Sequence, residues 1–289
     1  ATATTAVANC TGSLYRAPTR QTIRNDAFVE DDYNDATYRG GRIALNWKVN
    51  DDWSVDLMHV RQELDTDGVF DFEPDVGDLK VTKFNDNSLK DRVSLSTWGV
   101  NGRLGALDLI YTGSFLKHRA TQVADYAGYS NIGLYLPYYE CDRGVYYTAA
   151  YNGNIGNTCY APSKSYQVRN RTERMTHEFR VTTPADKRLR GTFGLFYDDN
   201  KLFDNTDWSY LQQAAGFIYR RAPNASVNAN DTSVRPGQVG FFNDIQRQDK
   251  QFAAYGEASF DIVPDKLIFT GGLRYYDEKA SINGSSNGS

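Results

Sequence analysis

The sequence contains no apolar run that approaches the roughly 18 residues of a membrane-spanning helix, and it shows no sustained helical periodicity. Methionine is almost absent, with 2 residues among 289. The 32 basic residues do not outnumber the 36 acidic ones, so there is no basic excess to neutralise nucleic-acid phosphates. The missing helical pattern argues against a helical protein, and the missing basic excess argues against a nucleic-acid-binding protein.

Patterns typical of catalysis are also missing. The sequence shows no nucleophile–base pair, no phosphate-binding loop and no carboxylate pair set in a cleft. We therefore expect no enzymatic activity and no cofactor. The first residues, "ATATTAVANCTGSLYR", lack the basic region and apolar core of a secretory signal peptide. This start is compatible with a mature exported protein or a fragment of one.

Cysteine is scarce, with three residues in the chain. Cys141 and Cys159 lie in one stretch rich in tyrosine and glycine and could close a loop. Such a disulfide would imply an oxidising compartment, and it predicts Cα atoms within about 7 Å of each other. Two free thiols are the alternative interpretation.

Aromatic residues are abundant, with 20 Tyr and 15 Phe, and apolar residues recur at every second position. The segment "HEFRVTTPADKRLRGTFGLFYDD" (177–199) shows this best, with one apolar phase that includes Phe179, Val181, Phe193 and Leu195. The interleaved phase is mostly polar. The pattern predicts two antiparallel strands, each with one apolar and one polar face, joined by a tight turn at "PADK".

The same alternation predicts strands in RIALNWKV (42–49), WSVDLMHV (53–60), LDLIYTGSFLKH (107–118), QFAAYGEASFDI (251–262) and LIFTGGLRYYDE (267–278). The segment 92–104 is less regular. Its phase slips near Trp98 and Gly99, where we expect a β-bulge.

The connections between these strands alternate strictly in length. Short ones fall at 50–52, 104–106, 184–187 and 263–266, and long ones at about 66–88, 127–168 and 202–246. In an antiparallel meander, this order places all tight turns on one rim and all long loops on the other. Transmembrane barrels sort their loops in this way, and strands of about 12 residues can cross a tilted bilayer. The sequence therefore predicts an all-β, antiparallel transmembrane β-barrel.

A barrel assigns a role to each face of the strands. The apolar phase would contact lipid, and the polar phase would line the lumen, since a bilayer admits β structure only in closed form. Four arginines fall in the lumenal phase, namely Arg42, Arg180, Arg190 and Arg274. They would meet acidic residues of a plug, or they would tune the selectivity of an open pore; the sequence leaves both open.

The strand count indicates that more of the barrel exists than these 289 residues. An additional strand around 7–16 would make nine strands, with the two chain ends on opposite rims. Single-chain bacterial barrels have an even number of strands, which brings both ends to one rim. We expect residues 1–289 to be a segment of one barrel domain that lacks at least one strand.

Three hairpins resemble those of TonB-dependent outer-membrane receptors, in the order in which that family has them. These are "YRGGRIALNWKVNDDWSVDL", "ERMTHEFRVTTPADKRLRGTFGLFYDD" and "KQFAAYGEASFDIVPDKLIFTGGLRYYDEKA". The resemblance implies a 22-stranded barrel in the bacterial outer membrane, plugged by an N-terminal domain. It also implies energised uptake of a scarce nutrient, such as a ferric siderophore, cobalamin or an oligosaccharide. The energy would come from an inner-membrane complex that acts through the plug.

This chain departs from the family pattern in what it lacks. It contains no plug motifs, no energy-coupling box near its start and no C-terminal strand ending in an aromatic residue. The energised role therefore rests on the resemblance. A passive substrate-selective porin without a plug is the alternative, and a soluble all-β binding module is a weaker one.

Ligand-binding residues are expected in the long loops. The candidates are Tyr129, Tyr135, Tyr138, Tyr139, Tyr146 and Tyr147 in the Tyr-rich loop, and Trp208 and Tyr210 at the base of the next one. Tyrosine offers a large amphipathic surface at little rotamer cost, which suits sugars and aromatic chelates. Packing of the loop on itself is the competing interpretation.

Two further groups of polar residues have simpler explanations. The acidic stretch "DTDGVFDFEPDVGD" (65–78) does not have the spacing of a calcium loop, and we interpret it as a solvated turn. The three histidines, His59, His118 and His177, lie on separate predicted strands, which does not suit a metal site. Two of them fall in the apolar phase, so we interpret them as residues of the membrane interface.

Overall fold

The computed structural model describes residues 25–127, 164–210 and 239–288, together with the short segments 19–20, 139–141, 144–146 and 158–160. Most of these residues lie in β-strands, and the others include a 3-10 turn at Asp26–Phe28, the tight turns and the loop 68–87. Among the described residues, none lies in a helix with the length and apolar character needed to cross a membrane.

The described strands form two sheets, one of four short strands and one of eight long strands. In chain order the strands are β1 (Thr19–Arg20), β2 (Ala36–Lys48), β3 (Trp53–Asp67), β4 (Ser88–Leu104), β5 (Leu107–Asp125), β6 (Tyr139–Cys141), β7 (Gly144–Tyr146), β8 (Thr158–Tyr160), β9 (Lys164–Thr182), β10 (Leu189–Tyr210), β11 (Val239–Val263) and β12 (Leu267–Gly288).

The large sheet is an antiparallel meander in the order β12-β11-β10-β9-β5-β4-β3-β2. Its tight turns occupy 49–52, 105–106, 183–188 and 264–266, so they all lie at one end of the sheet, here called the turn rim. The long connections all leave from the opposite end, here called the loop rim. The predicted all-β antiparallel architecture and the sorting of its connections are confirmed.

The last long connection is shorter than predicted. It covers 211–238 rather than about 202–246, because β10 and β11 continue well past the alternating apolar residues. The two strands remain paired residue by residue from Leu189 with Phe260 as far as Trp208 with Phe241. Polar residues fill this upper part, so the sequence there looks like a loop although the backbone ladder continues.

The strand registers collect the predicted apolar phase of every long strand on one surface, here called the apolar face. Directly opposed residues of an antiparallel pair project to the same side. One row across the sheet runs through Val55, Val100, Tyr111, Phe179, Leu195, Ala254 and Tyr275. Thr192 projects to the other surface, the polar face, where it lies opposite Thr182 and Glu257.

The expected bulge near Trp98 and Gly99 is wrong. Strand β4 pairs in continuous register with both neighbours from Ser88 to Gly102. The phase slips in the sequence because the apolar residues change sides along the strand. Trp98 belongs to the apolar face, whereas Leu95, which is closer to the loop rim, belongs to the polar face.

Exposure on the two faces is the reverse of that in a soluble protein. On the apolar face Ile43, Phe193 and Leu273 are 71%, 51% and 87% exposed. Among the described residues, the buried apolar side chains are limited to Ala127, Val239, Phe242 and Ala253. No described segment forms a second layer over the apolar face, as a sandwich of two sheets would require.

The exposed apolar residues form a band of defined height. On β10 the band runs from Leu189 to Tyr197 and on β12 from Leu267 to Tyr275, which is nine residues in each strand. A tilted strand needs about 9–11 residues to cross a bilayer. Beyond the band, towards the loop rim, charged residues take over the same phase: Arg39, Arg61, Arg92, Lys117, Glu173, Asp199, Lys250 and Asp277.

Glycines opposite aromatic residues allow close packing on both faces. The ring of Trp98 covers Gly113 on the apolar face, and the ring of Tyr255 covers Gly194 on the polar face. A Cβ atom at either glycine would overlap the ring. These cross-strand pairs fix the position of two large side chains.

The described sheet is open. Strands β2 and β12 are its edges, and within the described residues each pairs on one side alone. Closure into a barrel, its total strand number and the predicted strand around 7–16, which lies outside the described residues, therefore stay predictions. The plug domain and the C-terminal strands of the expected barrel are likewise untested.

Candidate functional site

The candidate site lies on the polar face and at the loop rim above it. A cavity of about 660 Å³ opens over β2, β3, β4, β5, β9 and β10, and its lining includes Asn46, Asp56, Thr112 and Glu178. The polar side chains of this wall bond to one another across strands. The side-chain amide of Asn46 donates to Asp56 at 2.6 Å, and that of Asn101 donates to the same carboxylate at 3.1 Å.

The four predicted lumenal arginines all project from the polar face. Arg190 forms a two-pronged ion pair with Asp261, with N–O distances of 2.8 and 2.6 Å. Arg180 lies 3.6 Å from Glu178. Arg42 occupies the edge strand β2 opposite Val60. Their common face is therefore observed, whereas contact with a lumen depends on closure and stays a prediction.

Arg274 belongs to a small cluster in the middle of the polar face. Its guanidinium lies 5.8 Å from the ring centres of both Phe196 and Tyr255. The hydroxyl of Tyr255 donates a short hydrogen bond to Glu178, which is two strands away. Tyr255 reaches so far because the intervening residue on β10 is Gly194, which has no side chain to block the ring.

An aromatic ladder marks the loop-rim end of the polar face. Tyr166 and Trp208 are directly opposed on β9 and β10, with ring centres 6.3 Å apart and nearly parallel planes. Tyr126 meets Tyr166 edge-on at 5.5 Å. Aromatic surfaces of this kind suit flat or amphipathic ligands. The predicted candidate Trp208 is therefore part of a cluster.

Lys164 lies beside this ladder as the first residue of β9. Its side chain is 2% exposed, and burial lowers the pKa of its ammonium group to about 7. Its backbone carbonyl accepts hydrogen bonds from the Asn85 side chain at 2.9 Å and from the Tyr126 amide at 2.8 Å. A buried lysine whose surroundings lower its pKa thus lies at the loop-rim end of the polar face.

A polar network fixes the first long loop, 68–87, to the rim. Asp125 accepts hydrogen bonds from the backbone amides of Phe84 and Asn85. Asn87 donates to the hydroxyl of Tyr33 at 2.6 Å, while burial raises the pKa of that phenol. The loop is therefore a built part of the rim rather than a loose connection.

The tip of this loop is acidic and apolar at once. Phe70, Phe72 and Leu79 are 66%, 51% and 87% exposed and are interleaved with the carboxylates of the acidic stretch 65–78. Among the described residues, no group of three or more His, Cys, Asp or Glu side chains is arranged to hold a metal ion.

The predicted tyrosines of the second long loop are outside the part of the chain described in detail. Tyr129, Tyr135, Tyr138 and Tyr147 fall outside the described residues. Tyr139 and Tyr146 are described by their backbone, where they are paired across β6 and β7. Tyr210 is the last residue of β10, and its side chain is not described. Ligand binding by these residues stays a prediction.

The two cysteines of the predicted disulfide are cross-strand neighbours. Cys141 on β6 lies directly opposite Cys159 on β8 in an antiparallel ladder. Opposed residues in such ladders have Cα atoms about 4.5–5.5 Å apart, within the range that disulfides bridge. Their side chains are outside the described residues, so the backbone register is compatible with the bond and the bond itself stays a prediction.

The histidines follow the predicted phases. His177 lies on the apolar face, stacked on Tyr111 at 6.1 Å and near Trp98 at 5.9 Å, and its Nδ1 is 2.9 Å from the Tyr111 hydroxyl. His59 shares that face, 2.9 Å from the hydroxyl of Ser96. His118 lies on the polar face, with its Nε2 2.6 Å from Asp91.

The sequence predicted which residues lie on the polar face, but it did not predict the contacts between them. Glu178 and Tyr255 stood in the polar phase of their strands, but their hydrogen bond spans an intervening strand. The signal was Gly194, since a glycine in an alternating strand indicates that another group approaches closely. Tyr126 was missed because it lies eight residues beyond the alternating pattern, which ends at His118.

No family model and no curated protein matches this chain, and the comparison with solved structures gives its similarities. The structure is similar to the crystal structure of the ferric yersiniabactin uptake receptor FyuA from Yersinia pestis, with a TM-score of 0.59. The sequences are 11% identical, and the similarity covers 94% of this chain and 35% of that receptor. At this identity the likeness shows the fold, an antiparallel sheet like part of a β-barrel receptor.

Proposed function

We propose that this chain forms part of the wall of an outer-membrane β-barrel that takes up a scarce nutrient. One observation carries the proposal: a nine-residue-high apolar band that is exposed, on a sheet whose opposite face is polar and more enclosed. In water, a fold that exposes Phe193 and Leu273 while burying Asp198 would be unfavourable. In a bilayer the same arrangement is favourable, because the apolar band contacts lipid.

The edges of the band support a membrane location. Trp98, Tyr111, His177 and Tyr197 cluster at its border nearest the loop rim, with ring centres 5.9–6.4 Å from that of His177. The Trp98 indole donates to the Tyr111 hydroxyl at 3.2 Å, so both polar atoms have partners. Amphipathic rings are enriched where hydrocarbon meets headgroups, and such girdles frame transmembrane barrels.

The polar face and loop rim support uptake of a solute. The Tyr126–Tyr166–Trp208 ladder lies where a solute would enter from the side of the long loops, as would the predicted tyrosines of the second loop. The receptor of similar fold takes up a ferric chelate. Ferric siderophores, cobalamin and oligosaccharides are the nutrient classes we propose for this chain. Its partners would be outer-membrane lipid and an inner-membrane energy-coupling complex, reached through a plug.

Uptake by intact cells tests this proposal. Cells producing the full-length protein would be given a panel of iron-55 siderophores, labelled cobalamin and labelled oligosaccharides, with and without a protonophore. We expect saturable uptake of one class that stops when the proton gradient collapses. Uptake that persists without the gradient would instead indicate a passive porin, and absence of the protein from the outer membrane would contradict the proposal.

A matched pair of tryptophan variants sharpens this experiment. Trp208→Ala removes one member of the ladder on the polar face and should lower the apparent affinity for the transported ligand by about tenfold. Trp98→Ala removes a tryptophan from the apolar face and should leave that affinity within about twofold. Equal loss in both variants would mean that the ladder has no specific role in ligand binding.

A further inference from the structure

A row of arginines crosses the outward side of five neighbouring strands. Direct cross-strand pairing joins Arg39 to Glu63, Glu63 to Arg92, Arg92 to Arg119 and Arg119 to Arg171. Three of the arginines, on β4, β5 and β9, therefore stand directly opposite one another. Like charges in opposed positions destabilise a sheet, so this row calls for an explanation.

The row has a defined place relative to the apolar band. Each of its members is in phase with the apolar residues of its own strand, as Arg92 is with Trp98 and Arg171 is with Phe179. It lies on the loop-rim side of the band. Two rows separate it from the aromatic border of the band at Trp98 and His177, and the nearer one runs through Gly41, Arg61, Ser94, Lys117 and Glu173. The arginine row and this nearer row project to the same side as the band.

Carboxylates within the two rows do not balance the arginines. Glu63 is shared between Arg61 at 2.6 Å and Arg92 at 3.6 Å. Glu173 is likewise shared, at 3.6 Å each, between Lys117 and Arg171. The two rows contain six basic and two acidic residues, a net charge of +4.

The arginine side chains remain accessible from outside the sheet. Those of Arg61 and Arg92 are 68% and 56% exposed. The Arg171 guanidinium lies over the ring of Phe203, 4.0 Å from its centre, which steadies it while leaving 41% of the side chain exposed. The row therefore presents guanidinium groups outwards on the loop-rim side of the band, and the Phe203 ring holds that of Arg171 in place.

We propose that this arginine row binds the phosphate groups of anionic lipid headgroups in the outer leaflet. The inference rests on the membrane location given under the proposed function. Headgroups lie immediately beyond the hydrocarbon band, and basic clusters at that level attract anionic lipids. Guanidinium groups pair with phosphate through two parallel hydrogen bonds. Arg92, Arg119 and Arg171 stand on three adjacent strands and so span about 10 Å, enough for more than one phosphate.

Phosphate on the row would also remove the internal conflict. Bound anions between Arg92, Arg119 and Arg171 would replace repulsion by attraction, beyond what the shared carboxylates of Glu63 and Glu173 provide. A free phosphate ion has the same chemistry but lacks acyl chains to lie against the band. The lipid is therefore the expected occupant, and free phosphate is an arm of the test.

The test uses the full-length protein purified in a neutral detergent. Binding would be titrated with a bisphosphorylated glucosamine lipid, with the same lipid after removal of its phosphates, and with inorganic phosphate. We expect the wild type to prefer the phosphorylated lipid at least tenfold over both other probes, and to lose affinity as salt is raised.

Three variants locate the binding on the row. Replacing Arg92, Arg119 and Arg171 together by Gln should weaken binding of the phosphorylated lipid by roughly fivefold for each arginine. The corresponding Lys variant keeps the charge and should lose less than tenfold, which also shows that the fold tolerates change there. Arg42→Gln, on the polar face of β2, is the control and should change binding by less than twofold.

The outcomes separate this inference from the proposed function. Equal binding by the wild type and the Gln variant would overturn the inference, as would equal loss in Arg42→Gln or equal affinity for the dephosphorylated lipid. Reconstitution into phosphatidylcholine vesicles is measured in parallel by protease protection. A protein that inserts but shows no phosphate preference refutes the arginine-row site alone. A protein that fails to insert refutes the membrane location and the inference together.

Discussion

On the apolar face of the sheet, Phe193 leaves half of its surface uncovered, at 51%, whereas its neighbour Gly194 and the nearby Asp198 on the polar face are buried. The two faces belong to the same strands and share the same backbone ladder. They differ in which side chains cover them. Polar side chains on the polar face cover one another, and apolar side chains on the other face have no described protein neighbour beyond the sheet. This difference between the faces is the observation on which the proposed membrane location rests.

The largest effect should come from placing a charge on the wrong face. Phe193→Arg puts a guanidinium in the middle of the apolar band, where it costs about 2–4 kcal/mol in a bilayer. Thr192→Arg changes the adjacent residue, at the same depth, on the polar face. Urea unfolding in lipid vesicles should show strong destabilisation or failed assembly for Phe193→Arg alone. Equal destabilisation of both variants would contradict the assignment of the faces.

A smaller effect is expected from filling the space beneath the aromatic rings. Gly113→Ala places a methyl group where the Trp98 ring lies, and overpacking of this kind costs about 1–3 kcal/mol. Gly41→Ala is the control, because no atom lies within 4 Å of a Cβ at that position. Both glycines are in phase with the apolar face. Thermal unfolding in vesicles should separate the two variants, and similar unfolding temperatures would show that the ring moves aside freely.

The smallest effect should distinguish hydrogen bonding on the two faces. Tyr255→Phe removes the hydroxyl that donates to Glu178 on the polar face and should cost about 1–2 kcal/mol. Tyr275→Phe makes the same change on the apolar face, where Tyr275 is 67% exposed, and should stay within about 0.5 kcal/mol. Neither change should prevent assembly. A larger loss for Tyr275 than for Tyr255 would reverse the expected order.

The part of the fold inside the band was predictable from sequence because two constraints act there together. Each strand must alternate, and one of its faces must be apolar over about ten residues. The spacing of residues such as Phe179, Phe193 and Leu195 therefore predicts both that the segment is a strand and which of its faces is apolar. The tight turns were predictable for the same reason, since each lies between two such patterns.

Beyond the band the same signal fails. Above Tyr197 and Phe252 the outward residues become charged, so the continuation of β10 and β11 has no apolar alternation, although the ladder persists to Tyr210 and from Val239. In β4 the apolar residues near Leu95 lie on the polar face. This change of phase in the sequence led to the wrong prediction of a bulge. The arginine row could not be predicted from the sequence, because its members become neighbours only when five strands are placed in register.

The candidate site was predictable in kind and less so in membership. The position of Trp208 and of the four arginines on the polar face followed from composition and phase. The contacts between such residues depend on a small residue that lies between two large ones, as Gly194 lies between Tyr255 and Glu178. Such arrangements depend on packing across several strands, which single-strand periodicity does not contain.

The central claim, that the apolar face contacts lipid and the polar face does not, can be tested with the four tryptophans. Trp47, Trp53 and Trp98 lie in phase with the apolar face, and Trp208 lies in phase with the polar face. Single-tryptophan variants of the full-length protein would be reconstituted in vesicles that contain lipids brominated along their acyl chains. We predict strong quenching of the three tryptophans on the apolar face and little quenching of Trp208. Equal quenching of Trp208 and Trp98, or no quenching of Trp98, would contradict the account.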